Sequence, residues 1–264
     1  MNEAELKDVL RSQIHAKNAV LILGAGVSLA SSEKAKSWTQ LIESGAAAVV
    51  AAGCAPRADF EDTVRRRLEP PVDPYYLTEA ASDVIRVLKR NGRFETWIDS
   101  EFSGLKVTYP SLIQALGRLE IPIFTTNYDT LVESVLKLHP VSPANPALMI
   151  RTASGGYPGV GHVHGVWSDP ETCVITLGDY ARITHDKGSG TVHRALSLTR
   201  SLVYVGFGAG IADENFEAVH NWANERFGSV SQQHFLLCLE ENRSELLRDL
   251  PPDINPVSYG HDFS

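Results

Sequence analysis

Short, mostly apolar runs of strand length recur along this chain, and they restrict its fold more than any other feature. They are Val20-Leu21-Ile22-Leu23, Ile121-Pro122-Ile123-Phe124-Thr125, Val174-Ile175-Thr176-Leu177, Leu202-Val203-Tyr204-Val205 and Phe235-Leu236-Leu237-Cys238-Leu239, with a further candidate at Pro256-Val257-Ser258-Tyr259. Continuous apolar runs, rather than alternating ones, suit strands buried on both faces, as in a parallel sheet covered by helices. Pro122 fits a central strand only near its start, because proline cannot donate to the ladder.

Helical patterns separate the runs. Leu6, Val9, Leu10 and Ile14 recur at helical spacing, and further helices are predicted over Trp38 to Ala52, Leu77 to Asn91, Ser111 to Leu119, Asp129 to Leu138 and Asp213 to Phe227. In the last, Phe216, Val219, His220, Ala223 and Phe227 share one face, with Asp213 as its cap. Strands alternating with helices predict an α/β, Rossmann-like doubly wound parallel sheet. Residues 54–110 have helical character without a core strand and are expected to form a helical module inserted within a single domain spanning 1–264. From His139 to Gly161 the chain is rich in Pro, Gly, Ser and Asn, so a long irregular loop is expected there. The sequence stops at Ser264 soon after the last strand candidate, which leads us to expect the front part of a longer polypeptide.

Composition narrows the class of partner. The chain has 264 residues, 43% of them hydrophobic, enough for one sizeable core. Its 32 acidic and 24 basic side chains give a formal charge of -8, which disfavours direct nucleic-acid binding through phosphate neutralisation. Arg65-Arg66-Arg67 is flanked by Asp59, Glu61, Asp62 and Glu69 and reads as a solvated helix face. Cys54, Cys173 and Cys238 are scattered and odd in number, so no disulfide framework is implied and a cytoplasmic location is expected. No apolar stretch approaches the roughly 20 residues of a membrane span, and the charged amphipathic N-terminus does not read as a signal peptide.

Chemistry concentrates at the ends of the apolar runs. The first run stops at Gly24-Ala25-Gly26-Val27-Ser28, where bare amides and a helix N-terminus could hold a pyrophosphate. Gly24 would permit the turn and Gly26 would admit a phosphate. The dinucleotide fingerprint is incomplete, since Leu29 occupies the third glycine position and no acid ends a second strand some 20 residues on. An ordinary tight turn explains the same residues. The second run ends in Thr125-Thr126-Asn127-Tyr128-Asp129. Asn127 can donate and accept, Thr126 joins the polar cluster, and Asp129 either holds a hydroxyl, orients Asn127 or caps the next helix. Gly161-His162-Val163-His164-Gly165 offers two histidines at i and i+2, but no third and fourth metal ligand accompany them. His164, beside Gly165, is the candidate general base, the glycine clearing room for substrate; His162 reads as structural. Val205-Gly206-Phe207-Gly208 repeats the strand-then-glycine design at a second edge, although close packing alone accounts equally well for Gly206 and Gly208.

Taken in order, Gly-Ala-Gly-Val-Ser, Thr-Asn-Tyr-Asp, His-Gly and Val-Gly-Phe-Gly resemble the sirtuin family, and in detail its bacterial sirtuin-like branch associated with antiphage defence. Trp38-Thr39-Gln40-Leu41-Ile42, Thr176-Leu177-Gly178-Asp179-Tyr180 and Asp213-Glu214-Asn215-Phe216 look like that branch as well, and the resemblance runs from about Val20 to Asp262. It implies NAD as substrate, with Gly24, Ala25, Gly26, Ser28 and Thr126 around its phosphate and ribose groups. Asn127 and His164 would be the catalytic pair, Asp129 would support Asn127, and Gly206 and Gly208 would lie under the adenosine half. The deacylase branch carries a four-cysteine zinc module, which three scattered cysteines cannot build, so no zinc is expected. Its proline-aspartate-phenylalanine-arginine segment is missing too. The resemblance thus implies an NAD hydrolase, controlled by a homo-oligomer, regulatory domain or partner subunit. A non-catalytic NAD or ADP-ribose sensor is the alternative; deacylation, ADP-ribosyl transfer and a dehydrogenase stand behind it.

Overall fold

The computed structural model describes residues 2–69, 74–180, 195–207 and 233–261. The helix expected over Asp213 to Phe227 and the Gly208 position lie outside them. Strands β1 (Ala19–Leu23), β2 (Ile123–Thr125), β3 (His139–Val141), β4 (Gly159–His162), β5 (Ser201–Val205), β6 (His234–Leu239) and β7 (Ile254–Gly260) form one sheet in the order β3-β4-β2-β1-β5-β6-β7. Every pairing is parallel. The fold is α/β and Rossmann-like, as the continuous apolar runs predict.

Both faces of β1 are buried, which is why its sequence shows no alternation. Leu21 and Leu23 face a cluster with Val203, Val205 and Phe235, covered by α1 (Glu3–His15), α7 (Ser111–Gly117) and α8 (Leu131–Leu136). Val20 and Ile22 face the opposite cluster with Phe124, Leu202, Tyr204 and Leu236, where Met149 of α9 (Pro146–Ala153) also packs. Each fully buried aliphatic side chain contributes about 1.5–3 kcal/mol. The Asn2–Glu5 capping box starts α1, and Asn145 with Pro146 starts α9.

A third cluster joins α3 (Trp38–Ala51), α4 (Phe60–Arg67), α5 (Pro74–Arg90) and α6 (Phe94–Phe102) to Tyr128, Cys173 and Ile175. The helices between β1 and β2 therefore reach the sheet edge through residues beside Asn127. Short α2 (Ala25–Ser31) follows β1 directly, and α10 (Glu240–Asp249) follows β6. Among the described residues, no helix is long and apolar enough to cross a membrane.

Two expectations are corrected. Residues 139–161 are not a long irregular loop but contain β3, α9 and the start of β4. The two glycines of β4 serve close packing: a Cβ on Gly161 would lie 2.3 Å from the Phe124 ring, and one on Gly159 would lie 2.7 Å from Val141. Val174 to Leu177 is not a strand. Asp179 Oδ2 accepts from the backbone N–H groups of Ile175 and Thr176 and from the Thr176 hydroxyl, turning the chain into a helical turn. Val174 and Ile175 are buried without joining the sheet. Pro122 precedes β2 rather than interrupting it, and its carbonyl accepts from the Leu21 N–H.

Candidate active site

The chain leaves β1 for β2 on one side and returns to β5 on the other, so the order reverses at β1. Open α/β sheets bind ligands outside the strand carboxyl ends at such a switch point. Gly24 follows β1, Thr126 and Asn127 follow β2, His164 lies just past β4, and Gly206 follows β5. The fold thus brings the described site residues to one end of adjacent strands.

Asn127 is the best-defined of them. Its Nδ2 donates to the Gly24 carbonyl and to Ser28 Oγ, both at 2.9 Å. A carbonyl only accepts, so the amide nitrogen must face Gly24. Ser28 Oγ in turn donates to Asp129 Oδ2 at 2.7 Å. Both hydrogens of the amide are therefore spent internally, and Oδ1 makes no hydrogen bond to a described residue. The amide that could have donated and accepted is left as an acceptor.

Asp129 is 7% exposed, and its second oxygen accepts from the Leu131 N–H at 3.1 Å. It thus links Ser28, which accepts from Asn127, to the first N–H of α8, whose N-cap is Thr130. Burial pushes its carboxyl above the ordinary range, against the opposing pull of the Ser28 hydroxyl and the Leu131 amide.

Thr126 is half-buried and donates from its backbone N–H to the Leu23 carbonyl at 3.0 Å, joining the ends of β1 and β2. Ala25 is exposed at the first position of α2.

The glycine turns differ from expectation. The Gly24 and Gly26 amides are not bare; they donate to the carbonyls of Val205 and Gly206, both at 2.9 Å. A Cβ on Gly26 would meet Gly206 Cα at 2.8 Å, and Gly206 itself has φ +75. These glycines let the turns after β1 and β5 touch backbone to backbone. The space beside Gly26 expected for a phosphate holds Gly206.

Gly165 also departs from its expected role. With φ +86 and a hypothetical Cβ only 2.3 Å from the Thr172 carbonyl oxygen, it admits the returning chain rather than substrate. His164 is 7% exposed, and Tyr180 meets its ring edge-on with centroids 5.7 Å apart. Tyr180 ends the Thr-Leu-Gly-Asp-Tyr segment, whose bearing on the histidine was invisible in sequence. His162 is fully buried between Asn127 and Glu133, an acid that hides within the apolar helix Leu-Val-Glu-Ser-Val-Leu.

Residues 122–251 match the family described as a SIR2-like domain. The matched segment runs from the residue before β2 through α10 and contains Asn127, Asp129, His164 and Gly206. It supports a sirtuin-like family for the chain. The Gly-Ala-Gly-Val-Ser turn precedes it, and the contacts of Gly24 and Ser28 with Asn127 tie that turn to the SIR2-like segment. Among the described residues, no group of three or more His, Cys, Asp or Glu is arranged to hold a metal ion.

Proposed function

We propose that this chain is an NAD hydrolase that cleaves the nicotinamide–ribose bond, consuming water and releasing nicotinamide, ADP-ribose and a proton. The observation that carries this reading is the Asn127 amide, locked by Gly24 and by the Ser28–Asp129 relay at the switch point, its oxygen making no hydrogen bond to a described residue. The SIR2-like match, which covers Asn127 and Asp129, supports NAD as the ligand.

The pyridinium of NAD departs as neutral nicotinamide and needs no general acid. Its ribose passes through an oxocarbenium-like state, as in glycoside cleavage. Asn127 Oδ1, acceptor only, holds a ribose hydroxyl or the attacking water. His164 takes the proton lost from water or from a hydroxyl. Ala25, Ser28 and Thr126 stand toward the phosphate and ribose region, beside the turn that Gly24 and Gly26 close against Gly206, and Gly206 lies toward the adenosine half. Unrestrained cleavage would exhaust cellular NAD, so control by an oligomer, a regulatory domain or a partner subunit belongs to the proposal, with antiphage defence as the corresponding role.

The test is release of nicotinamide from NAD by the purified chain. Asn127→Ala and His164→Ala should each lower turnover by more than about tenfold while the fold persists. Undiminished release from both would remove these residues from the chemistry. One observation favours the alternative of NAD or ADP-ribose sensing without cleavage: His164 is buried against Tyr180. Tight binding of NAD with no nicotinamide release would select that alternative.

A further inference from the structure

The peptide of Asn127 is held as firmly as its side chain, by groups that the hydrolysis scheme does not use. His162 ends β4 and pairs in register with Thr125 of β2. Its ring is wholly buried with both nitrogens engaged: Nδ1 lies 2.9 Å from the Asn127 carbonyl oxygen and Nε2 lies 2.6 Å from Glu133 Oε1. A carbonyl oxygen accepts only, so Nδ1 carries a proton. A neutral ring of that tautomer would turn a lone pair toward the carboxylate. A second proton between Nε2 and Oε1 makes the contact attractive. Glu133 from α8 and Asp129 from the preceding turn are the charged groups acting on the ring. Glu133 is itself buried, and its Oε2 has no hydrogen-bond partner among the described residues.

Such a pair is a poor way to gain stability, because desolvation offsets most of its attraction and apolar residues of similar volume do as well. What apolar residues cannot supply is direction. Here the Asn127 N–H donates to Thr125 Oγ1 at 3.0 Å while His162 holds the carbonyl on the other side. Together with the bonds to Gly24 and Ser28, these fix backbone and side chain of a single half-buried residue.

We propose that His162 and Glu133 form a buried positioning pair that fixes the backbone of Asn127, and through it the aim of Asn127 Oδ1 in the cleavage step. The inference rests on the NAD-cleaving reading. Neither residue touches substrate; both act through Asn127. Their loss therefore falls on kcat, while KM, set by contacts along the dinucleotide, changes little.

The test uses the whole chain with NAD. In the double variant His162→Leu/Glu133→Leu, apolar burial replaces the pair, so the fold is expected to persist, with kcat lowered by at least about tenfold and KM within about threefold. Glu133→Gln keeps a donor for Nε2 without the charge, and its kcat is expected between that of the double variant and wild type. Histidine side-chain NMR supplies a second readout, with His162 protonated at both nitrogens in wild type and at Nδ1 alone in Glu133→Gln. A folded double variant with wild-type kcat overturns the proposal, as does a wild-type His162 lacking the Nδ1 proton. If the double variant does not fold, Glu133→Gln and the spectra decide. Absence of nicotinamide from wild type overturns the functional reading instead, and the spectra still report whether the pair holds the Asn127 carbonyl.

Discussion

At the scale of single residues, the site depends on which hydrogen bonds are already made. Ser28 is the hinge of this arrangement, accepting from Asn127 and donating to Asp129. Ser28→Ala would leave one amide hydrogen and one buried carboxylate oxygen without partners, at a cost of about 1–3 kcal/mol. We expect nicotinamide release to drop more steeply than this modest loss implies, because the amide is freed to turn; denaturant unfolding measured beside turnover separates the two effects. An unaltered turnover number would mean that Ser28 does not orient the amide. The sequence offered Asn127 and Asp129 as candidates, since strand ends with mixed polar groups are where such sheets place ligands, and Ser28 through the family resemblance. It could not show that the amide spends both hydrogens internally, because the partners are about 100 positions away in the chain and meet only when β1 and β2 pair.

At the scale of elements, the turns after β1 and β5 are locked by glycines that touch each other. Gly206 has φ +75, and a Cβ there would lie 2.6 Å from the Val27 nitrogen. Gly206→Ala is therefore expected to destabilise by more than about 1 kcal/mol through both backbone strain and overlap, read as a lowered urea midpoint. Gly53→Ala, where no atom lies near the added Cβ despite φ +65, gives the strain alone as a control. Equal losses in the two variants would contradict the contact argument. Runs of apolar residues revealed β1, β2, β5 and β6 because both their faces are buried, and β7 showed only through its buried Pro256 to Ser258 stretch. β4 escaped notice since its glycines reflect close packing against Phe124 and Val141, and glycine looks the same in a loop; β3 escaped because His139-Pro140-Val141 is only three residues long with one apolar, buried side chain at its end. The Val174 run misled for the opposite reason: apolar composition reports burial, while Asp179 decides the backbone.

At the scale of the whole molecule, the buried histidine makes stability depend on pH in a stated direction. Burial opposes charging of His162, but Glu133, the Asn127 carbonyl and Asp129 together raise its pKa above the ordinary 6.5. A raised folded-state value gives stabilisation that is complete below the unfolded pKa and is lost as pH climbs through the folded one. The urea midpoint of wild type should therefore decline above pH 6.5. Glu133→Gln leaves a ring whose charging is opposed chiefly by burial, so its folded pKa falls and the trend should invert, with stability lost on acidification. A midpoint with the same pH dependence in both proteins would count against the pair. On the proposed reading, Asn127 Oδ1, held at the carboxyl ends of β2 and β1, accepts from a hydroxyl of the sugar. A crystal structure of the protein with ADP-ribose tests this most directly. The account predicts a hydroxyl of the ribose distal to adenine within hydrogen-bonding distance of Asn127 Oδ1; a dinucleotide bound elsewhere, with that oxygen facing only protein, would contradict it.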